Sequence, residues 1–282
     1  MSKTLILTGA HPDDETFGMG GTLAQYAAAG VKVYYVCATR GEAGIDDPAD
    51  LEGYSSAGDK RWAELTCASR ILGLTEVIYL GYRDSGMPGW PDNKHPQALM
   101  VASLEEVTGK IVKIFRKLKP NVVVTSDPIG GYHHPDHIAI HKATIQAFSD
   151  AADPTLYPET GPAFQPLKLY YSIFPRGMLK IAVRFMPLLG VNPHKFGRNQ
   201  DIDLTAVADV NYPVHAVIRL SRESIETMHK ATACHTRPLG GKPPGGGLLG
   251  WIERWRGQTN LFMRAYPPFK GRKEKDLFQG IE

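Results

Sequence analysis

The apolar positions in the first half of the chain fall into two alternating patterns. Short unbroken apolar runs read as strands buried on both faces, and between them apolar residues recur at the spacing of a helix face. Residues 4–9 predict a buried strand and residues 20–29 a helix closed by Gly30. A second strand is expected over 31–38, a helix over 59–72 that stops at Gly73, and a third strand over 76–80. A long helix over 99–118, a fourth strand over 121–126 and a further helix from about Pro135 complete the regular part. Strands alternating with helices of this length need crossover connections, so the expected fold class is α/β. The sheet should be doubly wound, mostly parallel and Rossmann-like, followed by an irregular C-terminal extension.

After Phe148 the regularity fades. Residues 151–166 are rich in proline and turn formers and read as a loop, 167–174 as a further strand, and 221–235 as a helix with Ser221 as its N-cap. Residues 178–191 are interrupted by Lys180, Arg184 and Pro187. They are expected to form an amphipathic helix packed on the body, with a substrate lid or lipid-facing patch as the alternative. Residues 240–247 are a glycine- and proline-rich loop or linker, and beyond them Trp251, Trp255, Phe262, Tyr266 and Phe269 should dock on the domain or on a partner subunit. The chain is expected to be one domain over 1–282, with its core at about 1–150.

Composition narrows the function. Charged residues make up 22% and hydrophobic ones 43%, which is ordinary for a soluble globular protein. The net charge of +3 is too small and too scattered to argue for nucleic acid as a partner. No uncharged apolar run is long enough to span a membrane, and residues 1–10 are too short for a secretory signal before the charged segment that follows. Cys37, Cys67 and Cys234 are odd in number and form no CxxC pair, so they read as reduced, buried thiols of a cytoplasmic protein.

Two segments carry chemistry: His11-Pro12-Asp13-Asp14-Glu15 and Tyr132-His133-His134-Pro135-Asp136-His137. Each directly follows an expected strand, and in a parallel sheet the loops after the strands open on one edge, where such proteins bind ligands. Segments more than a hundred residues apart should therefore meet. Histidine nitrogens with one carboxylate suit Zn²⁺, which in catalytic sites keeps three protein ligands and one open position. His11 and Asp14 sit on one tight turn and can face one ion. The third ligand comes from His133, His134, His137 or His141; His137 falls on the first helical turn, and spacing alone does not exclude His141.

Asp13, between two ligands but free to point elsewhere, is placed as the general base toward a water whose pKa zinc lowers to about 7. Protonated His134 or the Tyr132 hydroxyl could stabilise the oxyanion of a tetrahedral intermediate, with Asp136 holding the His134 imidazole charged and correctly turned. Glu15 could orient His11 or a backbone amide. Acidic residues before a helix are also ordinary caps, so no single one of these residues decides the matter. Other classes fare worse. Gly18, Gly20 and Gly21 lack the spacing of a phosphate loop and follow a turn crowded with carboxylates. A structural zinc protein would need a fourth protein ligand and would have no use for Asp13.

The HPDDE and HPDH segments resemble those of the LmbE/PIG-L-type deacetylases, a family of zinc-dependent enzymes that act on N-acetylglucosaminyl conjugates and also includes mycothiol conjugate amidases. The resemblance implies Zn²⁺, or Fe²⁺ as the alternative ion, bound by His11, Asp14 and His137, with Asp13 as base and His134 assisting the oxyanion. It extends to Thr39-Arg40-Gly41-Glu42, to Arg61 with Glu64, and to the run from Leu80 to Met87. It implies contacts from Arg61, Asp84 and Glu42 to sugar hydroxyls, and a mobile active-site tyrosine at Tyr132. The helix ending at His235 lacks the family's following Ser-Gln, with Thr236-Arg237 in its place. The implied activity is deacetylation of an N-acetylated amino sugar or its conjugate; an amidase for larger N-acyl or thiol conjugates shares the same site. The implied partner is a small-molecule substrate, and a homo-oligomer fits the pattern as well as a monomer does.

Overall fold

The computed structural model describes residues 3–44, 48–174, 176–196, 200–236 and 258–281. Its seven-stranded sheet has the order β3-β2-β1-β4-β5-β7-β6, with β1 (Thr4–Gly9), β2 (Lys32–Thr39), β3 (Glu76–Tyr82), β4 (Val122–Thr125), β5 (Lys168–Ile173), β6 (Ala216–Arg219) and β7 (Thr259–Tyr266). The first five are parallel, and β7 runs antiparallel to both of its neighbours. The described α-helices are α1 (Gly20–Ala28), α2 (Ala57–Leu72), α3 (Leu104–Leu118), α4 (Gly130–His133), α5 (Pro135–Asp150), α6 (Arg176–Phe185), α7 (Leu204–Asp209) and α8 (Arg222–Thr232).

Side chains alternate between the two faces of each strand, so each run contributes to two cores. Ile6, Val36 and Val123 pack with Val107, Ile111 and Phe115 of α3 and Ile140 and Ala143 of α5. Leu5, Leu7, Val33 and Val124 pack on the opposite face with Leu23 of α1, Leu65 of α2 and Leu277 and Phe278 near the C-terminus. Each fully buried aliphatic side chain stabilises the fold by about 1.5–3 kcal/mol. The doubly wound expectation holds.

The expected helix over 99–118 begins five residues late. Ser103 accepts a hydrogen bond from the Glu106 amide and caps α3, while Leu99–Val101 forms a separate 3₁₀ turn. β6 and β7 escape the periodicity argument because β7 is only half-buried along most of its length. Phe262 is buried and Phe269 stacks on His215, as expected of the aromatic tail, whereas Tyr266 packs on Phe148 yet stays exposed. Residues 240–247, Trp251 and Trp255 lie outside the described residues.

Two expectations need correction. Cys67 and Cys234 form a disulfide across 167 residues, and only Cys37 is a free buried thiol. No CxxC spacing announces the pair, because it is the packing of α2 against α8 that brings the two cysteines together. The helix within 178–191 is α6, which ends before Pro187 and passes into a 3₁₀ turn. Its apolar residues are only partly covered: Leu179 and Val183 are half-buried, while Ile181 is 62% and Phe185 53% exposed. No helix among the described residues is long and apolar enough to cross a membrane.

Candidate active site

The strand order reverses between β1 and β4, which opens a crevice at their C-terminal ends. The HPDDE turn leaves β1 there and the HPDH turn follows β4, so the two segments converge. Gly9 ends β1 where no side chain fits. A Cβ would lie 2.5 Å from the Tyr35 hydroxyl and 2.9 Å from the Asp14 carboxylate. That hydroxyl donates to the His11 carbonyl at 2.6 Å and holds the turn in place.

Asp14 is aimed by its own turn. Its Oδ2 accepts from the amides of Ala10 and His11 at 2.8 and 3.1 Å, leaving Oδ1 3.5 Å from His137 Nε2. His11 Nδ1 lies 3.3 Å from the same His137 nitrogen. The ligand atoms of His11, Asp14 and His137 all lie within 4.8 Å of one another, a donor set that fits a divalent cation. His137 sits in the first turn of α5, close to Gly130, whose φ is +65° and whose position admits no Cβ: it would lie 2.9 Å from that of His137. His141 is turned elsewhere, with Nδ1 2.7 Å from the Ser126 carbonyl and its ring against Tyr171.

The far side of His11 is equally constrained. Its Nε2 lies 3.2 Å from Asp136 Oδ2 and 3.3 Å from Asp84 Oδ1. Burial alone would lower the His11 pKa, but the Asp84 and Asp136 carboxylates hold it well above the ordinary value. A proton on Nε2 leaves Nδ1 free for a cation, the arrangement in which a carboxylate orients a metal-binding histidine. His11, Asp84, His134 and Asp136 also lie within 4.8 Å. There His11 would present Nε2, which two carboxylates already hold, so the set with Asp14 and His137 is the better cation site.

The expected pairing of Asp136 with His134 is not formed. The Asp136 carboxylate faces His11 and accepts from both the amide and the hydroxyl of Ser85. His134 instead caps α5, its Nδ1 accepting from the Asp136 amide at 3.2 Å. A nitrogen that accepts an N–H cannot carry a proton, so His134 is neutral and its proton sits on Nε2. Burial, with His11 and His137 nearby, also depresses its pKa well below the ordinary value. The expectation of a protonated His134 is therefore corrected. The Tyr132 ring stands 5.8 Å from both His134 and His137 between centroids, at the edge of the same group.

Asp13 is 8% exposed, and its φ of +132° is a conformation that few non-glycine residues adopt. Arg61 donates to Asp13 Oδ2 at 2.9 Å, to the Pro12 carbonyl at 2.6 Å and to the Gly41 carbonyl at 3.2 Å. It pairs with neither Asp59 nor Glu64. Burial raises the Asp13 pKa to about 6, with the nearby Asp14 adding to the rise and the Arg61 guanidinium opposing it. Asp84 serves partly as a turn cap, accepting from the Gly86 amide at 2.8 Å, and Glu42 accepts from the Asp84 amide at 2.9 Å. Arg61 thus holds the loop that carries Glu42, and Glu42 holds the loop that carries Asp84.

Sequence reasoning left Glu15 with two possible roles; its Oε2 accepts from the Asp13 amide at 2.9 Å. His235, 220 residues away, donates to the other Glu15 oxygen at 2.7 Å. Burial would lower the His235 pKa, but Glu15 and Glu64 raise it to about 9. Because the folded value lies above the ordinary 6.5, this pairing stabilises the fold fully below about pH 6.5 and its contribution fades as pH rises through about 9. Thermal unfolding at pH 6.5 and pH 9.5 should therefore show a fall in midpoint that is smaller in His235→Gln. Equal falls in both proteins would count against it.

A crevice at a sheet reversal thus carries a His–Asp–His donor set that fits a divalent cation, with a buried spare carboxylate beside it. The chain belongs to the GlcNAc-PI de-N-acetylase (PIG-L) family, whose pattern matches residues 6–148, and it is an N-deacetylase of that family. It is 38% identical over 211 residues to a 1D-myo-inositol 2-acetamido-2-deoxy-alpha-D-glucopyranoside deacetylase of Geodermatophilus obscurus, covering 72% of this chain and 71% of that one. With the enzyme of the same name from Acidothermus cellulolyticus it shares 33% identity over 295 residues, covering 100% and 96% of the two chains. The N,N'-diacetylchitobiose deacetylase of Pyrococcus horikoshii has the same fold, with a TM-score of 0.58 at 19% identity over 93% of this chain and 84% of that one.

Proposed function

We propose that this protein hydrolyses the acetamide of a 2-acetamido-2-deoxyglucoside linked to inositol, using Zn²⁺ held by His11, Asp14 and His137. The observation that carries the reading is Asp13: a buried carboxylate set between two donors of one cation site and locked by Arg61. The inositol-linked substrate is favoured by the names of the relatives that cover most of this chain. Two imidazole nitrogens and one carboxylate oxygen suit Zn²⁺, which supplies Lewis acidity toward a water and toward the amide carbonyl.

The chain's own residues do the rest. Arg61 occupies Asp13 Oδ2, so Oδ1 is assigned the proton of the attacking water. The developing oxyanion meets the Nε2–H of neutral His134, with the Tyr132 hydroxyl assigned as a second donor. A neutral imidazole that donates Nε2–H has no further proton to spare. The departing amine therefore takes the proton that Asp13 accepted. Asp136 keeps His11 turned, and Arg61, Asp84 and Glu42 are assigned to the sugar side.

The test is release of free amine and acetate from 1D-myo-inositol 2-acetamido-2-deoxy-α-D-glucopyranoside and a panel of other N-acylated glucosaminides. Activity should vanish with a chelator and return with added Zn²⁺. Failure to release amine from any N-acetylglucosaminide would overturn the reading, and release of longer acyl groups alone would replace it with an amidase.

A further inference from the structure

Among the buried ionisable groups that the mechanism leaves unused are Glu15, fully buried, and His235, 4% exposed. A carboxylate removed from water is costly unless paired and hydrogen-bonded. Glu15 meets both needs, and its two oxygens face in different directions. One accepts from the Asp13 amide at 2.9 Å and the other from His235 Nε2 at 2.7 Å. His235 lies just past α8 and follows Cys234, which the disulfide fastens to Cys67 of α2. On that same helix Glu64 accepts from the amide and hydroxyl of Thr236, while Arg61 reaches the Asp13 carboxylate. Asp13 is therefore gripped at two places: its side chain through α2, and its backbone through Glu15 and the end of α8.

The backbone grip has something to resist. A non-glycine residue at φ +132° costs on the order of 1–3 kcal/mol and persists only where its surroundings enforce it. The hydrogen bond from the Asp13 amide to Glu15 is an enforcing contact at that residue.

We infer that Glu15 and His235 are positioning residues that hold the Asp13 backbone in its strained conformation and so aim its carboxylate at the reacting water. The assignment rests on Asp13 being the proton acceptor proposed above. Without His235, Glu15 keeps a buried charge with one partner gone. It relaxes toward water, and its hold on the Asp13 amide weakens. His235→Gln keeps an N–H donor near the place of Nε2 and should preserve the grip.

The experiment uses the full-length zinc-loaded protein and three readouts: kcat and KM for acetate release, bound metal per chain, and hydrogen–deuterium exchange of the segment 10–17. His235→Ala should lower kcat about 10–100-fold, the scale of a misplaced reacting group, with KM and metal content little changed. The 10–17 segment should exchange faster. His235→Gln should stay within about threefold of wild type with native exchange, because the donor is retained. A folded His235→Ala protein with wild-type kcat and exchange would overturn the inference. So would an equal kcat loss in His235→Gln, or a parallel loss of metal, either of which marks a merely structural role. Should His235→Ala fail to fold, Glu15→Met decides, since it fills the same space with neither carboxylate oxygen and so removes both bonds; wild-type kcat and exchange there would refute the relay. If the wild-type protein releases no acetate, the functional reading fails, while exchange at 10–17 still decides whether the relay exists.

Discussion

Asp13→Asn should lower turnover by about 10²–10⁴-fold, the range expected when a general base is removed, while the protein keeps its fold and its metal. Asparagine is the right replacement on physical grounds. It keeps an oxygen for the Arg61 guanidinium and tolerates positive φ better than most residues. It also keeps the amide that donates to Glu15. What it loses is the ability to accept a proton. The loss should therefore appear in kcat, measured at saturating substrate, with a wild-type unfolding midpoint and metal stoichiometry. Near-normal turnover would remove Asp13 from the chemistry and leave the crevice without an evident base.

His137→Ala should strip most of the metal from the purified protein and abolish activity with it. His11 and Asp14 would remain, but they share one turn and leave one side of the cation open, whereas His137 approaches from the helix after β4. Losing a direct ligand should weaken binding by more than the 10–100-fold typical of losing an outer-shell partner. Elemental analysis after dialysis measures this directly. Unchanged metal content would disqualify the proposed ligand set, and His141 could not replace it without leaving the Ser126 carbonyl.

Much of the architecture was legible because its cause is local. Strands buried on both faces produce unbroken apolar runs, as in β1 and β4, and Gly73 marks where α2 stops. That helix starts two residues before the expected Asp59, at Ala57 after the Ser56 cap. The crevice followed from strand order alone once parallel crossovers were inferred. Side-chain direction was not legible. Asp136 stands two positions from His134, and chain proximity suggested a pair, yet the α5 cap turns the backbone amide to His134 and sends the carboxylate to His11 and Ser85. Arg61 was assigned to sugar hydroxyls; it reaches across to Asp13 because its helix packs beside the loop at Gly41. His235 and Glu15 carry no shared pattern, since 220 residues separate them and only the docking of α8 on α1 and α2 makes them neighbours. Likewise, the polar interruptions of α6 were visible, but not whether another element covers its apolar side.

The unusual backbone at residue 13 has a consequence for engineering. Glycine pays no steric penalty at that dihedral, but Asp13→Gly also leaves the Arg61 guanidinium without its carboxylate. Heat resistance at this position therefore sums a relieved backbone and a broken ion pair, and it says nothing of turnover. Thermostabilisation of this scaffold has to be selected jointly with turnover wherever a strained residue is also the reactive one.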